Sequence, residues 1–171
     1  MQDRGMHMLK MASKLCDWKS MVDIGCGNQQ LKEVAEAINP GVKYTGIDRL
    51  KHRPSTLIAD FNKGEYPKVK ADLAVVSGVF EYIRSENVDS FIDNVCKTAP
   101  FVAFSYWPVD YLSNTVAISA KTTKTRPKVW VNHFTLAEIV ELFNQRGFQL
   151  EILKRYKTSS QYMMVFTNTR P

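Results

Sequence analysis

The sequence predicts a doubly wound α/β fold, with a mostly parallel seven-stranded sheet whose last strand runs antiparallel. Three observations predict it. Short apolar runs alternate with stretches of helical periodicity along most of the chain. One run, "ADLAVVS" (71–77), is unbroken in its apolar character, as expected of a strand covered on both faces. The chain then closes with two strand-like runs, "FQLEILKRY" and "QYMMVFTN", joined by the turn-like "KTSSQ". A length of 171 residues suits one domain with one sizeable core, so residues 1–171 are expected to form a single domain.

The elements follow in order. Met6, Leu9, Met11 and Leu15 recur close to helical spacing and predict a short amphipathic helix. "MVDIGC" reads as the first strand. Leu31, Val34, Ala35 and Ile38 mark the next helix, which Asn39-Pro40-Gly41 ends. "VKYTGI" is the second strand. "TLIA" is the third, after a link too short for a full helix. "ADLAVVS" is the fourth. Ser85 to Thr98 reads as a helix with Val88, Phe91, Ile92 and Val95 on one side, and "FVAFSYW" is the fifth strand. Pro108 to Asn132 is a long irregular stretch, a length uncommon unless the segment has a function or is disordered. Thr135 and Glu138 have capping-box spacing, and Gly147 closes the helix that they start.

Composition narrows the function. The chain is 44% hydrophobic and 23% charged, as in soluble globular proteins. No apolar stretch is long enough for a membrane span. The N-terminal residues lack the apolar region and cleavage site of a secretory signal, so a cytoplasmic location is expected. Cys16, Cys26 and Cys96 are odd in number and far apart, and the three histidines are scattered. Neither a disulfide framework nor a metal site is expected. The net charge of +6 permits an acidic partner without establishing one. Lys121, Lys124, Arg126 and Lys128 form a local basic run, which fits a solvated loop or a phosphate-bearing substrate. Nucleic acid is therefore a possible partner, but no RNA-binding signature favours it.

In an open α/β sheet, ligands bind beyond the carboxyl ends of the strands. The unusual polar residues fall there. Gly25-Cys26-Gly27-Asn28 follows the first strand, Asp48 ends the second, Asp60 ends the third, and Ser77-Gly78 ends the fourth. Two glycines spaced by one residue suggest a backbone that must approach a ligand. Asp23 lies inside an apolar strand, where an unpaired carboxylate is costly, so it needs a partner in the loop amides or the ligand. A dinucleotide motif would want a small residue where Gln30 stands. A second acid, Asp60, also suits a cofactor without phosphate better than one with a pyrophosphate.

With these motifs in order, the sequence resembles the class I S-adenosylmethionine-dependent methyltransferases from Met21 to about Thr167. "VDIGCGN" is similar to the family's first motif, which implies that Asp23, Gly25, Gly27 and Asn28 face the methionine part of S-adenosylmethionine. "YTGIDRL" is similar to the second, which implies that Asp48, followed by Arg49, binds the ribose hydroxyls. "LIADFN" resembles the third, with Asp60 at the adenine amino group and Phe61 at its ring. "ADLAVVSGVFEYI" resembles the fourth, with Ser77, Gly78 and Phe80 lining the cofactor. "HFTLAEIVELFNQRGFQLEI" is similar to the closing helix and strand of members that act on small molecules. The pattern departs from the family at Gln29, where a small residue is usual. It departs again at the shortened link after the second strand, which implies a more open adenine side.

The resemblance implies methyl transfer to a small-molecule or glycan-type acceptor, at oxygen, with nitrogen open. His133 is the candidate base for the acceptor's proton, and a loop-holding histidine is its structural alternative. Tyr106, Trp107 and Asp110 are further candidates for the acceptor pocket, and Cys26 reads as a small filler. Two rival readings are an RNA methyltransferase and a non-catalytic cofactor-binding module.

Overall fold

The computed structural model of the chain describes residues 2–109, 130–157 and 161–170. Helix α1 (Gln2–Ala12) leads to β1 (Ser20–Ile24), α2 (Gln30–Ile38) and β2 (Lys43–Asp48). Strand β3 is Leu57–Ile58, followed by β4 (Leu73–Ser77), α3 (Val88–Thr98) and β5 (Phe101–Tyr106). The described chain resumes with α4 (Leu136–Asn144), β6 (Phe148–Arg155) and β7 (Tyr162–Asn168). Short 3-10 turns occupy Phe61–Lys63, Phe80–Tyr82 and Ser85–Asn87.

The strands form one sheet in the order β3-β2-β1-β4-β5-β7-β6. Strands β1 to β5 pair in parallel, and β7 runs antiparallel to both β5 and β6. The expected fold class is the observed one. Strand β1 lies between β2 and β4, so the chain leaves the centre in one direction and returns on the other side. That reversal places a crevice at the carboxyl ends of β1 and β4.

Strand parity divides the core. Side chains along a strand alternate between faces. Leu73 and Val75 of β4 pack with α1 and α2 through Met8, Leu9, Leu31 and Ala35. Ala74 and Val76 pack on the other face with α3 and α4 through Phe91, Ile92, Ile139 and Phe143. Each helix is apolar at the spacing that turns one stripe to the sheet. Helix α4 starts with the expected capping box. Thr135 Oγ1 accepts the Glu138 amide at 3.1 Å, and Glu138 Oε2 accepts the Thr135 amide at 2.7 Å. The expected helix from Ser85 begins one 3-10 turn later in regular form, at Val88.

The link from β2 to β3 contains turns and bends but no helix, as its length predicted. Strand β3 is correspondingly brief, and Leu50, Leu57 and Ile58 stay exposed at that edge.

Candidate functional site

The site begins where β1 ends. The backbone turns at Gly25 with φ of +76°, and an added Cβ would lie 2.6 Å from Val79 Cβ. That atom sits on a stiff β-branched stem, so no side chain fits at position 25. The Gly25 and Cys26 amides both donate to the Ile47 carbonyl, at 2.8 and 3.0 Å, and pin the loop to β2. The Gly27 amide donates to Asp48 Oδ2 at 2.9 Å, while the Leu50 amide donates to Oδ1 at 3.0 Å. Asp48 is thus oriented by one amide on each oxygen.

Gln29 is left-handed, with φ of 59°, and buried. Its Nε2 donates to Thr56 Oγ1 at 3.0 Å, and its Oε1 accepts from Ser55 Oγ at 3.2 Å. The bulk that departs from the expected small residue therefore turns away from the loop. It ties down the helix-free link between β2 and β3.

Asp23 shares the α1 face of the sheet with Tyr44, whose hydroxyl donates to Asp23 Oδ2 at 2.6 Å. The carboxylate is only 2% exposed. Burial pushes its carboxyl up to about 7, with the Tyr44 hydrogen bond acting in the opposite direction. Burial also pushes the Cys26 thiol up to about 12, so it stays protonated and behaves as a filler, not a nucleophile.

The opposite wall comes from the loops after β3 and β4. Asp60 Oδ1 accepts the Asn62 amide at 3.1 Å, an Asx turn that caps the Phe61–Lys63 turn. Asn62 then bridges loops: its Nδ2 donates to the Tyr82 carbonyl at 2.9 Å and its Oδ1 accepts the Arg84 amide at 2.9 Å. Phe61 packs edge-on against Phe91, with ring centroids 5.3 Å apart.

Two compartments result. The larger, about 560 Å³, has Asp48, Asp60, Phe61, Val79, Tyr82 and Ile83 among its walls. The smaller, about 250 Å³, is walled by Arg4, Asp23, Gly27, Asn28 and Ser77, with His52 at its side. Gly25 and Gly78 belong to both. Arg4 reaches this compartment from α1. Its Nε donates to Ser77 Oγ at 3.1 Å and its Nη1 to Gln161 Oε1 at 2.9 Å. Among the described residues, no cluster of His, Cys, Asp or Glu is arranged to hold a metal ion.

A model of the methyltransferase domain matches residues 7–152. The chain belongs to the methyltransferase domain family. Solved structures share the fold of this methyltransferase domain at low identity. Mitomycin 7-O-methyltransferase matches with a TM-score of 0.69 at 13% identity, covering 97% of this chain and 54% of that one. Magnesium protoporphyrin IX methyltransferase from Synechocystis PCC 6803, with bound S-adenosylhomocysteine, matches with a TM-score of 0.68 at 16% identity, covering 98% of this chain and 82% of that one. A calicheamicin-biosynthesis methyltransferase, also with S-adenosylhomocysteine, matches with a TM-score of 0.71 at 18% identity, covering 98% and 54%. The methyltransferase domain thus spans about half the length of two of these three chains. No curated protein sequence matches it.

Within the methyltransferase domain, the residues singled out in sequence are not all placed alike. Gly25, Asp48, Arg49, Asp60, Phe61 and Gly78 meet at the larger compartment. Asp23, Gly27, Asn28 and Ser77 meet at the smaller. Phe80 corrects the sequence reading, because it lines neither. It is fully buried among Phe91, Phe104, Tyr106 and Phe134, since the 3-10 turn after Gly78 points its ring into the core. Tyr82, two residues on, is exposed and stands on the cavity wall instead. His133 is exposed, two residues from Val131, which lines the larger compartment. Tyr106 is buried and hydrogen-bonded to Asn132, and Trp107 packs on Trp130 at 5.6 Å between centroids. Asp110 and the basic run from Lys121 to Lys128 lie outside the described residues.

Sequence reasoning missed Arg4, Asn62, Val79 and Asn132. Asn62 lay inside the quoted "LIADFN", but its bridge to Tyr82 and Arg84 spans some twenty residues and has no local signal. Arg4 carried no local signal, because only the packing of α1 brings it to the strand ends.

Proposed function

We propose that this methyltransferase domain, residues 1–171 acting as one unit in the cytoplasm, binds S-adenosylmethionine across both compartments. It catalyses methyl transfer to a small-molecule or glycan-type acceptor, at oxygen. The division of the site carries this reading. A larger compartment with a strand-end carboxylate and an apolar wall adjoins a smaller polar one across Gly25 and Gly78. The larger suits a nucleoside. Each Asp48 oxygen accepts one amide and keeps a lone pair, so the carboxylate can still accept from two neighbouring ribose hydroxyls. The smaller suits the polar end of an amino acid. A pyrophosphate would meet Asp48 and Asp60 in the larger compartment, a repulsion that disfavours a dinucleotide.

When bound, S-adenosylmethionine supplies a methyl group carried on a positively charged sulfur. This chain's residues then hold and orient. The loop at Gly25 lets backbone approach the ligand closely. Phe61, Val79 and Ile83 exclude water from one side of the base. His133 is the proposed base that takes the acceptor hydroxyl's proton, from its place beside the cavity-lining Val131. Much of the rate comes from alignment of the acceptor. The mitomycin and magnesium protoporphyrin neighbours are both methyltransferases of small molecules, which supports an acceptor of that class. The three free cysteines suit a reducing compartment.

Titration calorimetry with S-adenosylmethionine, S-adenosylhomocysteine and NAD tests the reading. Binding of the first two is expected. Preference for NAD sinks it. Cofactor binding without methylation of any acceptor, across hydroxylated aromatics and sugars, would favour a non-catalytic binding module.

A further inference from the structure

Arg4 is a cation held in place by the chain's own side chains. Two strand-end groups grip it at the sheet's carboxyl edge, from strands that flank β5: Ser77 Oγ, where β4 ends, and Gln161 Oε1, just before β7 begins. Strand parity explains the meeting. Ser77 continues the row of Leu73 and Val75, and Gln161 continues that of Met163 and Val165, all on the face that α1 covers. Gln161 is itself buried. The grip uses the Nε hydrogen and one Nη1 hydrogen, which leaves three of the five guanidinium donors. Nη2 lies 2.9 Å from where a Gly78 Cβ would stand, so the free edge of the fork rests against a residue that walls both compartments. Among the described residues, no carboxylate forms an ion pair with Arg4. Burial holds the guanidinium below the ordinary arginine range, with the charge of Glu81 acting through space in the other direction.

We propose that Arg4 binds the carboxylate of the cofactor's amino-acid end through the free edge of its guanidinium. The proposal rests on the cofactor reading above and goes beyond it, by assigning a specificity residue that lies outside every strand-end motif. The chemistry is complementary. A partly buried, pre-oriented guanidinium is the side chain best shaped to take a carboxylate by two parallel hydrogen bonds. The same compartment holds Asp23, and an amino acid carries one charge of each sign, so a cation and an acid along one small cavity match a zwitterion. Ser77 and Gln161 are then positioning residues. By fixing the fork in advance they lower the ordering cost of binding.

The test compares two ligands on the full chain. S-adenosylhomocysteine carries the amino-acid end, whereas 5′-methylthioadenosine keeps the nucleoside and lacks it. Arg4→Gln is expected to weaken S-adenosylhomocysteine by about 10- to 100-fold, as for loss of a charge-assisted pair, and to leave 5′-methylthioadenosine within about twofold. The ratio of the two affinities is the readout, and no turnover is needed. Retained 5′-methylthioadenosine binding also reports that the variant is folded. If Arg4→Gln does not fold, Arg4→Lys carries the same comparison: it keeps the charge, loses the fork, and is expected to shift the ratio in the same direction by a smaller factor. An unchanged ratio, or an equal loss for both ligands, overturns the assignment and leaves the cofactor reading standing. A wild-type protein that binds neither ligand overturns both.

Discussion

The hydroxyl of Tyr44 and the carboxylate of Asp23 meet at 2.6 Å on the α1 face of the sheet, one from β2 and one from β1. The sequence showed that Asp23 needs a partner; Tyr44 is that partner within the chain. The pair makes a pH prediction. The Asp23 carboxyl is pushed from 3.8 up to about 7, chiefly by burial. Below about pH 4 the group is protonated in both folded and unfolded chains, so it adds no pH dependence. Between pH 4 and 7 the folded chain binds the proton more tightly, so stability falls as pH rises. Above 7 the full cost of the buried charge is present. Asp23→Asn is therefore expected to raise stability at pH 8, by on the order of 2–4 kcal/mol, and to give no gain near pH 4. Denaturant melts of both proteins at the two pH values check this. A gain independent of pH would show that burial of charge is not the cause.

Asp48 is expected to matter for binding more than for folding. Asp48→Ala removes the acceptors proposed for the ribose hydroxyls and loosens the Gly27 amide that Asp48 holds. A lost charge-assisted hydrogen bond costs about 1.5–3 kcal/mol, so S-adenosylhomocysteine affinity should fall by roughly tenfold or more. Calorimetry on the folded variant reads this directly. Unchanged affinity would remove Asp48 from the site.

Asn132 predicts the opposite balance. Its Nδ2 donates to the carbonyls of Phe80 and Ile83, at 2.5 and 2.8 Å, and its Oδ1 accepts the Tyr106 hydroxyl at 2.7 Å. All of this is buried. Asn132→Ala removes three buried hydrogen bonds, at a cost of about 3 kcal/mol or more. The melting temperature should drop by roughly 6–12 °C for a chain of this size. A drop of under about 2 °C would mean that water replaces the side chain easily.

His133 separates an enzyme from a binding module. General-base help is typically worth about 10²–10⁴ in rate, so His133→Ala should lose turnover in that range while S-adenosylmethionine affinity stays within about twofold. His133→Asn keeps a hydrogen bond but no base. If His133→Asn restores most of the activity, the histidine only holds its segment in place.

The elements and the line of strand ends were legible from local patterns in the chain. Periods of two and 3.6, the turn at Asn39-Pro40-Gly41 and the Thr135–Glu138 capping box are local signals, read within a few residues of each other. The polar residues at Gly25, Asp48, Asp60 and Ser77 were legible because a parallel sheet brings successive carboxyl ends to one edge. What those ends face depends on packing between distant elements. Phe80 and Tyr82 stand two residues apart after the same glycine, yet one ring fills the core and the other the cavity wall. Their direction depends on the aromatic neighbours around Phe80, which come from α3, β5 and the approach to α4. Gln29 breaks the expected small-residue pattern, and only its bonds to Ser55 and Thr56 show what its bulk is for. Arg4 is the plainest case. It is 73 residues from Ser77 and 157 from Gln161 in sequence, and nothing in its own neighbourhood marks it. Helix α1 is driven onto the sheet by Met8, Leu9 and Ala12, and the burial of those apolar side chains, not any property of the arginine, carries a cation to the crevice.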